Sequence, residues 1–237
     1  MFGLSLDEKL GKAVLGNSWD KVSDLVERGG NVNGLVNGAP LTHHVVVRGP
    51  ANVVDSWLEK ADTEARDPGG KTPLMIACCS FRFDSAKKLI WLGADINAVD
   101  STGLTSLMSA AYMADLLCLK TLIEAGASLE MKDQEGFTAL MFASKKGNVH
   151  AVQFLIKQGA NVNARANAGE SPLMFSAQHG FLEPVEALLE ASADINAAMT
   201  QGYTALWLAK QNKQKAMEDF LFSRGATDNG VPLILER

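Results

Sequence analysis

The sequence predicts an all-α solenoid of short, stacked helix pairs. Three observations carry that reading. First, one five-residue phrase recurs in register. Gly70-Lys71-Thr72-Pro73-Leu74 returns as Gly103-Leu104-Thr105-Ser106-Leu107, Gly136-Phe137-Thr138-Ala139-Leu140, Gly169-Glu170-Ser171-Pro172-Leu173 and Gly202-Tyr203-Thr204-Ala205-Leu206, at a spacing of 33 residues. A weaker copy, Asn37-Gly38-Ala39-Pro40-Leu41, precedes them. Second, another phrase runs between the copies, as Gly93-Ala94-Asp95-Ile96-Asn97, Gly126-Ala127-Ser128-Leu129-Glu130, Gly159-Ala160-Asn161-Val162-Asn163 and Ser192-Ala193-Asp194-Ile195-Asn196. Third, two apolar-periodic segments lie between the phrases, for example residues 139–145 and 149–157. A fixed period of this length is the mark of a repeat array in which each unit buries its apolar face against the next.

Each element has a local reason. Thr138 stands just before a helix, where its side chain can cap free amide groups. Pro40, Pro73 and Pro172 fall in the first helical turn, where a missing N–H costs nothing. Gly147 and Gly180 punctuate the junction between two helices, and Gly93, Gly126, Gly159 and Gly225 follow the second helix, where a left-handed residue ends it. Helices this short do not survive alone in water. Leu140, Ala143, Val152, Leu155 and Ile156 are therefore expected to press against the matching positions of the next unit.

These residues resemble the ankyrin repeat, whose usual pattern runs Asp-x-x-Gly-x-Thr-Pro-Leu-His-x-Ala through to Gly-Ala-Asp-Val-Asn. The likeness extends from about Leu6 to Thr227. It implies seven stacked units, each a β-turn finger followed by an antiparallel helix pair. The expected organisation is a single domain over residues 1–237, with an N-terminal capping unit at about 4–33, inner units at 34–198, a C-terminal capping unit at 199–229 and a short tail at 230–237. Small, acidic, free-standing arrays with methionine after Pro-Leu point to a bacterial source.

Departures from the pattern are informative. The family's histidine after Pro-Leu is replaced by Met75, Met108, Met141 and Met174, by Trp207 at the end and by Thr42 near the start. Methionine fills the space but cannot tie a ring to the neighbouring finger backbone. Finger register is then expected to rest on Asp67, Asp100 and Asp133, whose carboxylates can accept N–H groups in the turn. The distance from Asn33 to Leu41 is two residues shorter than that from Asn97 to Leu107, so one finger is clipped. Phe81-Arg82-Phe83 stands where another unit has Gly147-Asn148-Val149, an oddity read either as packing compensation or as a recognition feature.

Composition sets bounds on function. Hydrophobic residues make up 47% of the chain, charged residues 21%, and the net charge is -5. That balance argues against nucleic-acid binding, and Lys87-Lys88 and Lys145-Lys146 are too short and too scattered to make a basic stripe. The N-terminus has no signal-peptide pattern and no stretch spans a membrane, so a cytoplasmic location is expected, with secretion as an effector left open. The three cysteines, Cys78, Cys79 and Cys118, read as small buried hydrophobes in a reducing compartment. No cofactor, metal or small-molecule substrate is expected. His43-His44 is the most tempting catalytic pair, but adjacent helical residues do not face each other. No phosphate loop, nucleophile elbow or metalloprotease motif occurs. The chain is not expected to be an enzyme; a hydrolase built on these histidines is the remote alternative.

The resemblance implies a protein partner on the concave face, formed by the fingers and the first helix of each pair. The family's contact positions, carried over unit by unit, single out Leu104, Tyr112, Met113, Phe137, Lys145, Lys146, Glu170 and Tyr203. Leu104, Tyr112, Met113, Phe137 and Tyr203 are apolar or aromatic where the fold does not require it, and aromatic residues are typical interface anchors. Trp91, at the end of a second helix where other units carry polar or small residues, marks an outer-face candidate. Trp19 and Trp57 read as packing residues. The expected function is a non-catalytic protein-binding module, monomeric on its own and acting as a stoichiometric inhibitor. An immunity protein that blocks a toxin and an effector that captures a host protein both fit. The acidic balance favours a basic partner through steering. Replacing Tyr112 and Phe137 together by alanine is expected to abolish binding while leaving the fold intact.

Overall fold

The computed structural model describes residues 4–227. The expected tail at 230–237, the end of the C-terminal capping unit and the first three residues lie outside them. Fourteen helices occur among the described residues: α1 (Leu6–Leu15), α2 (Trp19–Glu27), α3 (Leu41–Arg48), α4 (Ala51–Leu58), α5 (Pro73–Cys79), α6 (Phe83–Trp91), α7 (Ser106–Met113), α8 (Leu116–Glu124), α9 (Ala139–Lys146), α10 (Val149–Lys157), α11 (Pro172–Gln178), α12 (Leu182–Glu190), α13 (Ala205–Gln211) and α14 (Lys215–Ser223). Two short strands, β1 (Leu35–Val36) and β2 (Ala39–Pro40), precede α3.

The described residues form two compact units, residues 4–106 with 120–127, and residues 107–119 with 128–227. In the first, α1, α3 and α5 pack in one row, and α2, α4 and α6 in a second. In the second unit, α9, α11 and α13 form one row, α10 packs on α12, and each first helix packs on its own partner. Leu74, Ala77 and Leu89 fill the interior of the first unit, and Leu140, Ala143, Val152 and Leu155 that of the second; all are essentially inaccessible to solvent. Burying each leucine is worth about 1.5–3 kcal/mol, which is what sustains helices of two turns. Ile156, expected in the same interior, stands half-exposed at its margin.

The helix starts follow the repeated phrase. Thr72 and Ser171 accept the amides of Met75 and Met174 on their side-chain oxygens, and Thr204 does the same for Trp207. Pro73 and Pro172 open their helices, whereas Pro40 ends β2 and caps α3. The methionines after Pro-Leu have a second use. Met141 Sδ lies 3.5 Å from the amide of Thr138, and Met174 Sδ 3.4 Å from that of Ser171. The thioether thus takes the place of the glutamate in a capping box, as a weaker acceptor.

Each of three fingers is closed on itself by an aspartate side chain. Asp67 Oδ1 accepts the amides of Gly69 and Lys71, Asp100 Oδ1 those of Thr102 and Leu104, and Asp133 Oδ1 those of Glu135 and Phe137. The clipped finger takes a different form. Leu35 pairs with Pro40 and Val36 with Ala39 across Asn37-Gly38, both of which have positive φ. That is the backbone of a tight two-residue hairpin, and Asn-Gly is the dipeptide it favours.

A second set of links joins the loops after each helix pair. The amide of Asp62 donates to Asn33 Oδ1, that of Asp95 to Glu64 Oε1, that of Asn161 to Glu130 Oε1, that of Asp194 to Asn163 Oδ1 and that of Thr227 to Asn196 Oδ1. In these five links the last residue of one phrase reads the start of the next.

Candidate protein-binding face

The candidate residues fall into separate groups. In the second unit, Tyr112 at the end of α7 is 40% exposed and meets the Phe142 ring of α9 edge-on at 6.2 Å. Phe142 in turn meets Phe137 at 5.9 Å, and Phe137 meets Phe175 of α11 at 5.0 Å, both edge-on. Two lysines from the last turn of α9 lie on these rings. Lys146 Nζ is 4.2 Å from the Tyr112 centroid, and Lys145 Nζ is 5.3 Å from that of Phe137 and 5.9 Å from that of Phe175. Their position at a helix C-terminus also suits the peptide dipole. Met113 is half-exposed beside Tyr112 in sequence. Tyr112, Phe137, Lys145 and Lys146 are thus joined in one aromatic–cation network.

Phe137 has a different place in it from the one the sequence suggests. It is 8% exposed and packs with Met141, Ala164, Ala166 and Phe175, with Phe142 against that cluster. Its ring is core, so it offers little to a partner, and its replacement by alanine would disturb packing. Phe142 and Phe175 are the residues sequence reasoning passed over. They occupy the same slot one period apart, where other units carry Ile76, Ser109 and Leu208. Two aromatics in succession at that slot were the available signal.

The other candidates stand apart from the network. Tyr203 is half-buried and stacks on Trp207 at 3.9 Å with an interplanar angle of 13°. Glu170 is half-exposed; its carbonyl accepts the amide of Ala166 in the finger turn. In the first unit, Leu104 is half-exposed and shapes its finger through both backbone groups bonded to Asp100. Trp91 is the most exposed large hydrophobic side chain among the described residues, at 75%, with Lys88 Nζ 4.8 Å from its ring and Lys88 also paired to Glu59 at 3.0 Å.

The histidine pair and the bulky turn resolve into structural roles. His43 is buried, and its Nε2 lies 2.9 Å from the Lys71 carbonyl in the next finger. It makes the ring-to-finger bond from one residue beyond the usual position, while Thr42 Oγ1 accepts the indole N–H of the fully buried Trp57. Burial pushes the His43 ring below the usual imidazole range, partly offset by the Lys71 carbonyl and Asp67. His44 is lowered in the same direction, by burial and then by Arg48 and His43. Arg82 donates from Nε to the Val46 carbonyl at 3.0 Å and from Nη2 to that of Gly49, so it caps the end of α3. Phe81, by contrast, is 58% exposed in a left-handed conformation.

The family model for ankyrin repeats matches residues 82–166 and 163–230, more than half of the chain. The chain belongs to the ankyrin-repeat family. Its fold class is the helical-repeat solenoid of that family, and its finger aspartates and helix-pair loops are the ankyrin turn elements. A search of curated proteins found no match. No helix among the described residues is long and apolar enough to cross a membrane.

Proposed function

We propose that this ankyrin-repeat chain is a non-catalytic protein-binding module whose partner docks on the face carrying Tyr112, Met113, Phe142, Lys145 and Lys146. The observation that supports this placement most is Tyr112 itself. An aromatic ring is held half-open at a helix end by an edge contact on one side and an ammonium over its face. A rigid, amphipathic ring of this kind gives contact area at low entropic cost, as interface anchors do. The histidines add support for a non-catalytic reading, since His43 is committed to a finger carbonyl.

The module acts by occupying its partner, as a stoichiometric inhibitor. Immunity against a toxin and capture of a host protein by a bacterial effector are the two roles this design serves, and a toxin gene beside its own would select the first. Trp91 supports a second surface, because a tryptophan three-quarters exposed is unusual on a soluble helix.

The test begins with the full chain as bait in an extract of its source organism, with captured proteins identified by mass spectrometry. The leading partner is then titrated against Tyr112→Ala and Trp91→Ala. Tyr112→Ala should weaken binding by at least about tenfold with unchanged helicity, while Trp91→Ala leaves it alone. The reverse pattern moves the site to the outer surface, and loss with neither variant overturns both placements.

A further inference from the structure

The two lysines of the network carry information about the partner. The chain as a whole is acidic, with 27 aspartates and glutamates against 22 lysines and arginines. At long range that balance steers basic molecules toward it. The face itself has the opposite character. Lys145 and Lys146 are both exposed, and neither forms an ion pair among the described residues. Other exposed lysines do: Lys120 pairs with Glu124, and Lys215 with Glu218 and Asp219.

What holds the free pair in place is aromatic. Lys146 lies on Tyr112 and Lys145 is shared between Phe137 and Phe175. A ring face attracts an ammonium but accepts none of its hydrogen bonds in full, so donor capacity remains open toward solvent. The side-chain entropy that a lysine normally loses on binding is already partly spent. The ring of Tyr112 lies under the Lys146 ammonium, half-buried Phe142 meets that ring edge-on, and half-exposed Met113 follows Tyr112 in sequence. The result is two preorganised positive charges flanked by apolar surface.

We infer that the occupant of this face is an acidic segment of the partner protein, with carboxylates on Lys145 and Lys146 and an apolar side chain against Tyr112. This rests on the docking face proposed above. Charge-assisted N–H···O contacts at such lysines are short and strong where neighbouring apolar groups exclude water. Lysines beside aromatic rings also suit a single-stranded nucleic acid, whose bases stack and whose phosphates take the charge. The net charge of the chain disfavours that occupant, and the lysines are only two.

The experiment uses the full chain and a random peptide display library, selected at about 0.1 M salt, where screening still leaves close pairs visible. Selected peptides are then titrated against wild type, Lys145→Gln/Lys146→Gln and Tyr112→Ala, with circular dichroism to show that each variant is folded. A thymidine oligonucleotide is titrated in parallel. The expected result is enrichment of aspartate and glutamate around an apolar residue, with affinity falling at least about tenfold in the double lysine variant and again in Tyr112→Ala. Peptides that are basic or neutral, or that ignore the lysine variant yet need Tyr112, overturn the acidic segment and leave the docking face standing. Peptides indifferent to both variants overturn the face as well. A library that yields no binder, or an oligonucleotide that binds through the lysines in place of peptides, overturns the inference.

Discussion

Gly147→Ala separates two effects that meet at one inter-helix turn. Gly147 follows α9 with φ 68, in the left-handed region. A side chain there costs about 1 kcal/mol for the backbone conformation alone. A Cβ at this position would also lie 2.7 Å from three atoms of the Phe181 ring. Ordinary carbon contacts are about 3.5–4.0 Å, so the ring must retreat by most of an ångström. It has little room to do so, because Phe181 is the N-cap of α12 and its ring stacks on His179 at 5.6 Å. Overpacking of this kind adds about 1–2 kcal/mol. The total is roughly 2–3 kcal/mol, or about 4–12 °C in melting temperature for a chain of this size. Ala114 supplies the control. It occupies the equivalent turn after α7 with φ 66, so Ala114→Gly removes a backbone cost without touching Phe181. It should stabilise by about 0.5–1 kcal/mol. Urea and thermal unfolding followed by far-ultraviolet circular dichroism would measure both. If Gly147→Ala destabilises no more than Ala114→Gly stabilises, the Phe181 overlap contributes nothing and the packing argument is refuted.

Arg82→Ala should cost about 2–3 kcal/mol, because it leaves the Val46 and Gly49 carbonyls at the end of α3 without their charged donor. Arg82→Lys should recover part of that loss, which urea unfolding would show. Stability should also depend on pH through His43. Its folded-state pKa is lowered, so below about pH 6.5 the unfolded chain binds a proton that the folded chain resists. Its contribution is complete above that pH and is lost as pH falls toward the folded value. His43→Gln keeps a donor for the Lys71 carbonyl and removes the titration, so its unfolding free energy should vary less between about pH 7.5 and 5.5 than that of wild type. Equal slopes would exclude His43 as a source of the dependence.

Much of the architecture was legible because the repeat phrase is backbone chemistry. Caps such as Thr72, first-turn prolines such as Pro73 and turn aspartates act on neighbours a few residues away, so their spacing goes far to place them. Thr138, whose Oγ1 is buried without a partner, and Pro40, which ends β2, depart from that reading. The clipped finger was visible as a shortfall of residues, and Asn37-Gly38 names the hairpin that results. Burial across repeats was harder to read. Phe137 sits in an exposed slot of the pattern, and only the arrival of Phe175 from the next unit and Phe142 from its own helix turns it into core. The partner of His43 was not legible, because its bond is to a carbonyl 28 residues away, made from one position off the family's own. Tyr112 was legible as an unusual residue, and the two lysines only as contact positions carried over from the family. That they touch, and that Phe142 links them to the core, depended on ring geometry that no spacing encodes.

The links between helix-pair loops have a consequence for how such a chain can change length. Asn33 to Asp62, Glu64 to Asp95, Glu130 to Asn161 and Asn163 to Asp194 each reach only the following loop, across 29 or 31 residues. No link skips a neighbour in this set. A whole block inserted or removed at one of these loops leaves every acceptor facing a donor of the kind it already holds. The Asn33–Asp62 link forms across 29 residues because the two missing residues come out of the finger between Asn33 and Leu41, not out of the loops that carry acceptor and donor. The array therefore keeps its register by whole helix pairs at these joints while tolerating a change of length in a finger. Its recognition surface can be lengthened or shortened in steps of a helix pair while the chemistry at each joint stays the same.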